Sequence, residues 1–323
     1  MSRSPVLEAF LDLKSIRPIV LCGSLRAGTT LTRLLIGQHS QVSGHGESDF
    51  LFDGAPETST DPNIVEAFCE KVAVRRSARF LGFRKPQGAT YEEVLADLLH
   101  QHDAPEGTRL LFTVHRHVDR VARMFPNAFF VHLVRDPRDV ALSAVAMGWG
   151  GVAYYGVDVW MEAERDWRAA LPLIDQARRI EIRYEDLIND PHAVLSAVLE
   201  KAGLPFEESV LTPPESSTYS APKPRAREGF RRQLSDREIA EINAKVASAG
   251  LTDVYDLEPQ SAPSPRRLKE LWFRRKLASM QFKLRRYGPG VVAGEALART
   301  FSLQAISKRI DERKEVINVR YLK

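Results

Sequence analysis

A short turn with two glycines is the first part of the sequence to indicate chemistry. The segment LCGSLRAGTTLTRLL (21–35) runs from an apolar stretch through Gly23 and Gly28 into two threonines that open a helical pattern. A glycine turn that leads into a helix presents unpaired backbone N–H groups at the positive end of the helix dipole. Arg26 adds a guanidinium to these donors. The turn therefore predicts an anion site of the phosphate-binding kind.

The residue after the second glycine narrows the choice of anion. A nucleotide-hydrolysing P-loop has a lysine there, which contacts the β- and γ-phosphates, followed by a hydroxyl on Mg²⁺. Here Thr29 and Thr30 occupy these two positions. Without the lysine, metal-assisted γ-phosphoryl transfer is disfavoured. We expect an anion held by amides, hydroxyls and arginine, with no metal.

A second anion site is indicated by FFVHLVRDPRDVALSAVAMGW (129–149). Arg135 ends a strand pattern, and Asp136-Pro137 is a favourable start for a helix. Ser143 follows Arg135 by eight residues, about two helical turns. We expect Arg135 and Ser143 to bind a second anion together, although a strand end with solvated charges has the same pattern.

The elements that position these motifs alternate between strand and helix. Strands are predicted at 18–23, 79–83, 109–114, 129–134 and 179–184, and helices near 29–39, 61–77, 90–102, 117–125, 137–147, 157–177 and 190–202. This alternation predicts an α/β fold with a parallel sheet flanked by helices. Ligands of such folds bind at the carboxyl ends of the strands, where the glycine turn lies.

The C-terminal part of the chain differs in charge from the rest. Residues 259–323 contain 16 Lys or Arg against 5 Asp or Glu, whereas the first 258 residues contain 30 against 37. Between them, 258–265 is rich in Pro and Ser, and a similar stretch at 212–227 precedes a helix predicted at 235–250. We therefore predict a domain at 1–258 and a basic helical extension at 259–323.

Apolar residues recur along the extension at helical spacing, at Phe273, Leu277, Met280, Leu284 and Tyr287. Such a helix binds an anionic membrane surface or an acidic partner, or packs its apolar stripe on its own domain. No segment resembles a base-reading module, so we expect no nucleic-acid partner.

The remaining composition indicates a cytoplasmic protein. The two cysteines, Cys22 and Cys69, do not make a disulfide framework. The first twenty residues lack the apolar core of a signal peptide, and no stretch has the length of a membrane span. Membrane association through the basic extension stays open.

In register, these motifs resemble those of the sulfotransferases that use 3′-phosphoadenosine 5′-phosphosulfate (PAPS). The glycine turn resembles their 5′-phosphosulfate loop, 129–143 resembles their 3′-phosphate motif, and RYEDLINDPHAVLSAVLEKAGLPF (183–206) resembles a third segment. The resemblance covers residues 17–257 and is strongest to a bacterial branch similar to tyrosylprotein sulfotransferases. It implies a P-loop-like α/β fold and PAPS as the co-substrate.

The resemblance also implies roles for individual residues. Five would bind the 5′-phosphosulfate, three the 3′-phosphate and one the adenine: Arg26, Ala27, Gly28, Thr29 and Thr30; Arg135, Ser143 and Lys223; and Tyr184. Arg225 and Arg227 accompany Lys223 in a late loop. The chain departs from the family at Leu25 and Ala27, where proline and serine are usual. Ala27 can still offer its backbone N–H.

Two residues compete for the role of general base. Glu47 follows the turn at a distance similar to that of the proposed glutamate of tyrosylprotein sulfotransferases. His115 follows a strand as the histidine of cytosolic sulfotransferases does. We favour Glu47 and place His115 second. Lys85, after another predicted strand, would stabilise the departing phosphate.

The sequence thus predicts in-line sulfuryl transfer to an acceptor hydroxyl or amine of a small molecule, carbohydrate, lipid or peptide. A P-loop kinase with a degenerate loop is the second hypothesis, in which Asp136 would act as a Walker-B carboxylate. A third is a non-catalytic adaptor that binds nucleotide or membrane, which the basic extension suggests.

Overall fold

The structure is a computed structural model that describes residues 13–59, 61–223, 229–255, 257–258, 260–301 and 304–319. The chain divides into two compact units, Met1–Asp136 with Trp160–Arg227, and Pro137–Val159 with Glu228–Lys323. The basic extension belongs to the second unit together with earlier segments. The domain boundary expected after residue 258 stays a prediction.

Within the described residues, five parallel strands alternate with helices, as the sequence predicts for an α/β fold. The strands are β1 (Ile19–Gly23), β2 (Val42–Glu47), β3 (Arg109–Val114), β4 (Phe129–Val134) and β5 (Arg179–Arg183). The helices are α1 (Thr29–Ile36), α2 (Pro62–Val74), α3 (Arg76–Phe80), α4 (Tyr91–Gln101), α5 (Val118–Met124), α6 (Pro137–Ala146), α7 (Ala153–Gly156), α8 (Asp158–Ala170), α9 (Tyr184–Asn189), α10 (Pro191–Ala202), α11 (Asp236–Ser248), α12 (Pro265–Tyr287), α13 (Pro289–Thr300) and α14 (Gln304–Val319).

The strands lie in the order β2-β3-β1-β4-β5, so β1 is central. Alternate residues of β1 face opposite cores: Val20 and Cys22 face one, and Ile19 and Leu21 face the other. A sheet buried on both faces needs such continuous apolar strands. Gly23 ends β1 where a Cβ would lie 2.4 Å from the carbonyl oxygen of Leu133, so only glycine allows the chain to leave the sheet there.

Two sequence predictions of strands differ from the structure. The prediction of a strand at 79–83 is wrong, because α3 includes this segment's start and ends at Phe80. A turn follows, in which Gly82 adopts φ 82° and the Phe83 N–H donates to the Ala78 carbonyl. Strand β2, VSGHGE, was not expected because its glycines have low strand propensity. Pairing with β3 makes it a strand, and a Cβ at Gly44 would crowd Leu111 at 3.1 Å.

The described part of the second unit is helical. The predicted capping box at the start of α11 is confirmed, because Ser235 and Glu238 satisfy each other's backbone N–H. Within this unit the buried Arg267 of α12 is held by Glu241 of α11, with Nε 2.6 Å from Oε1. Among the described residues of the whole chain, none of the helices combines the length and apolarity that crossing a bilayer requires.

His132, a buried residue of β4, lies in the first unit between one buried and one half-exposed carboxylate. The His132 side chain stacks on Trp167 at 4.4 Å between ring centroids. Its Nε2 lies 3.3 Å from Oε2 of the buried Glu164, and its Nδ1 lies 3.1 Å from Oε2 of Glu181. Burial lowers the pKa of His132, but the two carboxylates outweigh burial, and the pKa is raised above its ordinary value.

This cluster predicts a stability loss on the alkaline side. A histidine with a raised folded-state pKa stabilises the fold below its unfolded pKa of about 6.5, and this contribution disappears as pH rises through the folded pKa. We expect the melting temperature of the wild type to fall as pH rises from about 6.5 through the raised folded-state pKa of His132. The double variant His132→Gln/Glu164→Gln, in which neither side chain titrates, should not show that component. Differential scanning fluorimetry from pH 5.5 to 9 measures both, and an equal loss in the two proteins would contradict the prediction.

Candidate active site

The turn between β1 and α1 has the backbone of an anion site. Arg26 adopts φ 72° and Gly28 adopts φ 106°, both in the left-handed region. Helix α1 then begins at Thr29, and no described side chain caps its N-terminus. The first N–H groups of α1 therefore face out of the turn as donors, with the half-exposed Thr30 beside them. The N–H of Ala27, by contrast, donates to the Ser24 carbonyl at 3.0 Å and is used inside the turn.

Three segments that are far apart in sequence meet at this turn. A Cβ at Gly28 would lie 2.4 Å from the Tyr184 ring, so the ring covers the bare backbone of the turn. The Arg135 guanidinium lies 4.5 Å from the centroid of the same ring. Arg135 Nη1 also donates to the Arg26 carbonyl at 3.0 Å. The residues expected to bind two different phosphates thus share one contact network.

Arg135 is held from its backbone as well. Its carbonyl accepts a hydrogen bond from Trp160 Nε1 at 3.0 Å, and the next N–H, of Asp136, donates to Glu185 Oε1 at 3.1 Å. Yet Arg135 Nε is buried, and none of the described residues accepts a hydrogen bond from it. A buried guanidinium donor without a partner is costly. This orphaned donor fits an anion at the site.

His115, directly after β3, joins the turn to a buried carboxylate. Its Nδ1 lies 2.8 Å from Asp49 Oδ2, and its backbone N–H donates to Asp49 Oδ1 at 2.8 Å. Its Nε2 lies 3.1 Å from Thr29 Oγ1, the first side chain of α1. An ionised carboxylate only accepts, so the hydrogen is on Nδ1 and, in the neutral ring, Nε2 accepts from the Thr29 hydroxyl. His115 and Asp49 are both buried.

Sequence reasoning missed Asp49. It lies in a 3₁₀ turn, Asp49–Leu51, just after β2, a strand that the sequence did not predict. The only sequence signal was a carboxylate two residues beyond Glu47, and this becomes informative once β2 is known to pair with β3.

Glu47 is the last residue of β2, at the carboxyl edge of the sheet, and its side chain is exposed. One ligand atom each of Glu47, Asp49 and His115 lie within 4.8 Å of one another, a grouping that could also hold a metal ion. Arg33, one turn along α1 from Thr29, is mostly buried, and no described residue accepts a hydrogen bond from its Nε. Burial lowers the pKa of Arg33, and the charge of Glu47 opposes this shift.

The roles expected for the other site residues, Lys85, Ser143 and Lys223, stay predictions. Lys85 is exposed and pairs with Glu66 of α2, and no described contact joins it to the turn. Ser143 is on α6, in the second unit, so its cooperation with Arg135 stays a prediction. Lys223 is exposed at the edge of the described late loop, and Arg225 and Arg227 lie outside the described residues.

Comparison with known sequences gives a family match over the segment that contains the turn, the sheet and the site. The profile described as "Sulfotransferase family" matches residues 18–208. An uncharacterized protein of Aquifex aeolicus is 27% identical over 216 residues, which are 61% of this chain and 27% of that protein. The omega-hydroxy-beta-dihydromenaquinone-9 sulfotransferase Stf3 of Mycobacterium bovis is 32% identical over 94 residues, 25% of this chain and 24% of that enzyme. The chain thus spans about a quarter of the length of these curated relatives.

Comparison with solved structures agrees with a parallel sheet flanked by helices. The sulfotransferase domain from the olefin synthase of Synechococcus PCC 7002 is similar with a TM-score of 0.57 and 20% identity, over 76% of this chain and 98% of that domain. At this identity the likeness establishes the fold. Together with the family match over more than half of its length, the turn, the sheet and the flanking helices show that this chain belongs to the sulfotransferase family.

Proposed function

We propose that this chain transfers a sulfuryl group from PAPS to an acceptor hydroxyl or amine. The observation that carries the proposal is the meeting of Gly28, Tyr184 and Arg135 at the uncapped start of α1. Membership of the sulfotransferase family and the missing P-loop lysine support it. A P-loop kinase would need a lysine where this chain has Thr29. A non-catalytic adaptor would not need the buried contacts among Asp49, His115 and Thr29.

In this proposal the turn binds the 5′-phosphosulfate and Arg135 binds the 3′-phosphate. The donors to the phosphosulfate are the N-terminal N–H groups of α1, including those of Thr29 and Thr30, together with the hydroxyl of Thr30 and the guanidinium of Arg26. The single hydroxyl hydrogen of Thr29 is already given to His115 Nε2. The adenine stacks near Tyr184. Ser143 and Lys223 are further ligands of the 3′-phosphate, and Lys85 stays our candidate for stabilising the departing phosphate.

The reaction forms a bond between the acceptor oxygen and sulfur while the bond from sulfur to the 5′-phosphate oxygen breaks. The acceptor proton must go to a base, and adenosine 3′,5′-bisphosphate leaves. We assign the base to Glu47, because it is exposed at the sheet edge, where an acceptor can reach it, and close to His115. The Asp49–His115 pair holds the Thr29 side chain and so positions the start of α1, whose N–H groups bind the transferring group in this proposal. If an acceptor instead approaches Nε2, His115 becomes the base.

The acceptor and the place of action are proposals of the same kind. A small molecule, carbohydrate, lipid or peptide hydroxyl fits the chemistry. The name of the Stf3 relative gives a menaquinone derivative as its acceptor, which supports a lipid for this chain. We place the protein in the cytoplasm, with association to a membrane through its basic extension.

The donor assignment predicts tight binding of the product without a metal. Adenosine 3′,5′-bisphosphate should raise the melting temperature in the presence of EDTA, and ATP with Mg²⁺ should raise it less. A ligand at 100 times its Kd stabilises a protein by about 2.7 kcal/mol, which thermal-shift measurement detects. Since Glu47, Asp49 and His115 could hold an ion, a parallel titration with Mg²⁺, Mn²⁺ and Zn²⁺ tests whether metal strengthens binding. Stabilisation by ATP with Mg²⁺ alone would support the kinase hypothesis.

Replacing Arg135 should weaken bisphosphate binding. Arg135→Ala removes a charged donor from the 3′-phosphate, and hydrogen bonds to charged groups contribute about 1.5–3 kcal/mol, which corresponds to roughly 10- to 150-fold in Kd. Isothermal titration calorimetry measures the change. The matched control is Arg123→Ala, since Arg123 is exposed on α5 and pairs only locally with Asp119. Equal affinity in the Arg135 variant and the wild type would exclude our placement of the 3′-phosphate.

Replacing Glu47 should slow the reaction without weakening donor binding. Glu47→Gln is nearly isosteric but accepts no proton, and loss of a general base typically costs 10²–10⁴-fold in rate. The measurement is kcat for transfer of labelled sulfate across a panel of acceptors, with bisphosphate affinity measured in parallel. His115→Gln should cost less, because in this proposal it acts through Thr29.

Asp49 provides the control for this assignment. If Asp49 acts only by orienting His115, Asp49→Asn should lower kcat, and the double variant with His115→Gln should be no slower than His115→Gln alone. Additive losses would mean that Asp49 acts by another route. If Glu47→Gln keeps most of kcat while His115→Gln abolishes it, the base is His115.

A further inference from the structure

Helix α12, in the second unit, carries an apolar stripe that stays in contact with solvent. Phe273, Leu277, Met280 and Leu284 are 68%, 61%, 49% and 40% exposed. Their spacing of four, three and four residues places them on one face of the helix. The stripe extends over twelve residues, a rise of roughly 17 Å along the helix axis. These are four of the five residues that define the sequence stripe, so the described residues of the second unit do not bury it.

The opposite face of α12 is the one that packs. Leu271 is buried, the Arg275 guanidinium lies 4.5 Å from the centre of the Tyr155 ring, and Phe282 would be struck by any Cβ at Gly148. These packed residues lie about half a helical turn from the stripe. The helix is thus docked by one face within its own unit, and its apolar stripe points away from that contact.

Basic side chains border the stripe on both sides. Helix α12 contains nine Lys or Arg and a single acidic residue, Glu270, which pairs with Arg267 at 2.7 Å. At 100° per residue, Lys269 and Lys276 lie on one side of the stripe and Arg285 on the other. Trp272, 47% exposed, lies at the edge of the stripe beside Lys276, whose Nζ is 5.4 Å from the ring centroid.

We propose that this face of α12 binds the surface of an anionic lipid bilayer. An interfacial helix inserts its apolar face a few ångströms below the headgroups while lysine and arginine contact lipid phosphates. A bilayer with anionic lipids attracts such basic segments, and aromatic rings at the border favour the headgroup level. The docked face fixes the helix to the protein, so the stripe is presented without the cost of folding on binding. This surface would operate whether or not the proposed activity is correct.

An acidic protein surface is the competing occupant. The pattern favours lipid because the exposed side chains in the centre of the stripe are aliphatic or aromatic without polar partners, and because the basic side chains lie on both borders. Over the full length of the stripe, a bilayer offers acyl chains to the apolar side chains and phosphates to the basic ones. A protein partner would need a matching apolar groove with acidic rims.

Vesicle co-sedimentation of the full chain tests the proposal. We expect binding to vesicles of 70% phosphatidylcholine and 30% phosphatidylglycerol. Binding to vesicles of pure phosphatidylcholine should be weaker by about tenfold or more. The variant Phe273→Ser/Leu277→Ser should weaken binding to the anionic vesicles about tenfold or more, since it removes the two most exposed apolar side chains of the stripe. Lys269→Gln/Lys276→Gln should weaken it as well, and the remaining binding should depend less on salt.

Matched controls distinguish vesicle binding by this face of α12 from nonspecific adsorption. Phe80→Ser removes an apolar side chain that is 82% exposed in the first unit and should leave vesicle binding unchanged. Circular dichroism and bisphosphate affinity should be the same in all variants. Absence of binding to the anionic vesicles, or binding that survives Phe273→Ser/Leu277→Ser, would overturn the proposal. Size-exclusion chromatography with light scattering tests one further outcome. If the wild type is a dimer that does not bind vesicles, and Phe273→Ser/Leu277→Ser is a monomer, the stripe would bind a second copy of the chain.

Discussion

The close approach of the Tyr184 ring to Gly28 is the constraint on which the candidate site depends. Any side chain at residue 28 would collide with this ring, and the left-handed backbone of Gly28 turns the chain into α1. The ring in turn supports Arg135, which reaches back to the carbonyl of Arg26. The absence of a Cβ at Gly28 therefore allows the turn, the end of β4 and the start of α9 to contact one another. Because each partner restricts the others, these contacts hold the turn in one conformation, and such preorganisation is what electrostatic stabilisation in the proposed transfer requires.

A second network organises the other side of the turn. Asp49 holds both the backbone and the ring of His115, and His115 holds the hydroxyl of Thr29. Three neighbouring parts of the sheet edge, after β2, after β3 and at the start of α1, are thereby tied by buried hydrogen bonds. In a buried setting such bonds are strong when satisfied and costly when broken. This explains why a histidine that looks like a catalytic base also serves as a structural link, and why we assign proton transfer to the exposed Glu47.

The extension illustrates how tertiary contacts divide one amphipathic pattern between two faces. Its sequence contains apolar residues on two faces, and helical periodicity identifies only the stripe that begins at Phe273. In the structure the packed face is the other one, built from Leu271, Arg275 and Phe282. Arginine contributes to that packed face through its aliphatic stem and its stacking on an aromatic ring. The apolar residues that remain outside are then the ones that require an explanation.

The amino-acid sequence by itself determined the α/β class, the strands β1, β3, β4 and β5, and the anion turn. These features follow from local chemistry: continuous apolar strands, a glycine turn before a helix, and Pro and Ser at helix starts. Tertiary structure alone decided β2 and the helical state of Arg76–Phe80. A glycine-rich strand exists only through its neighbour β3, and a short apolar run has no fixed state without its partners. It also decided the role of Asp49, because a carboxylate becomes a histidine partner only when two strands are aligned, and hydrogen-bond geometry is not written in residue spacing.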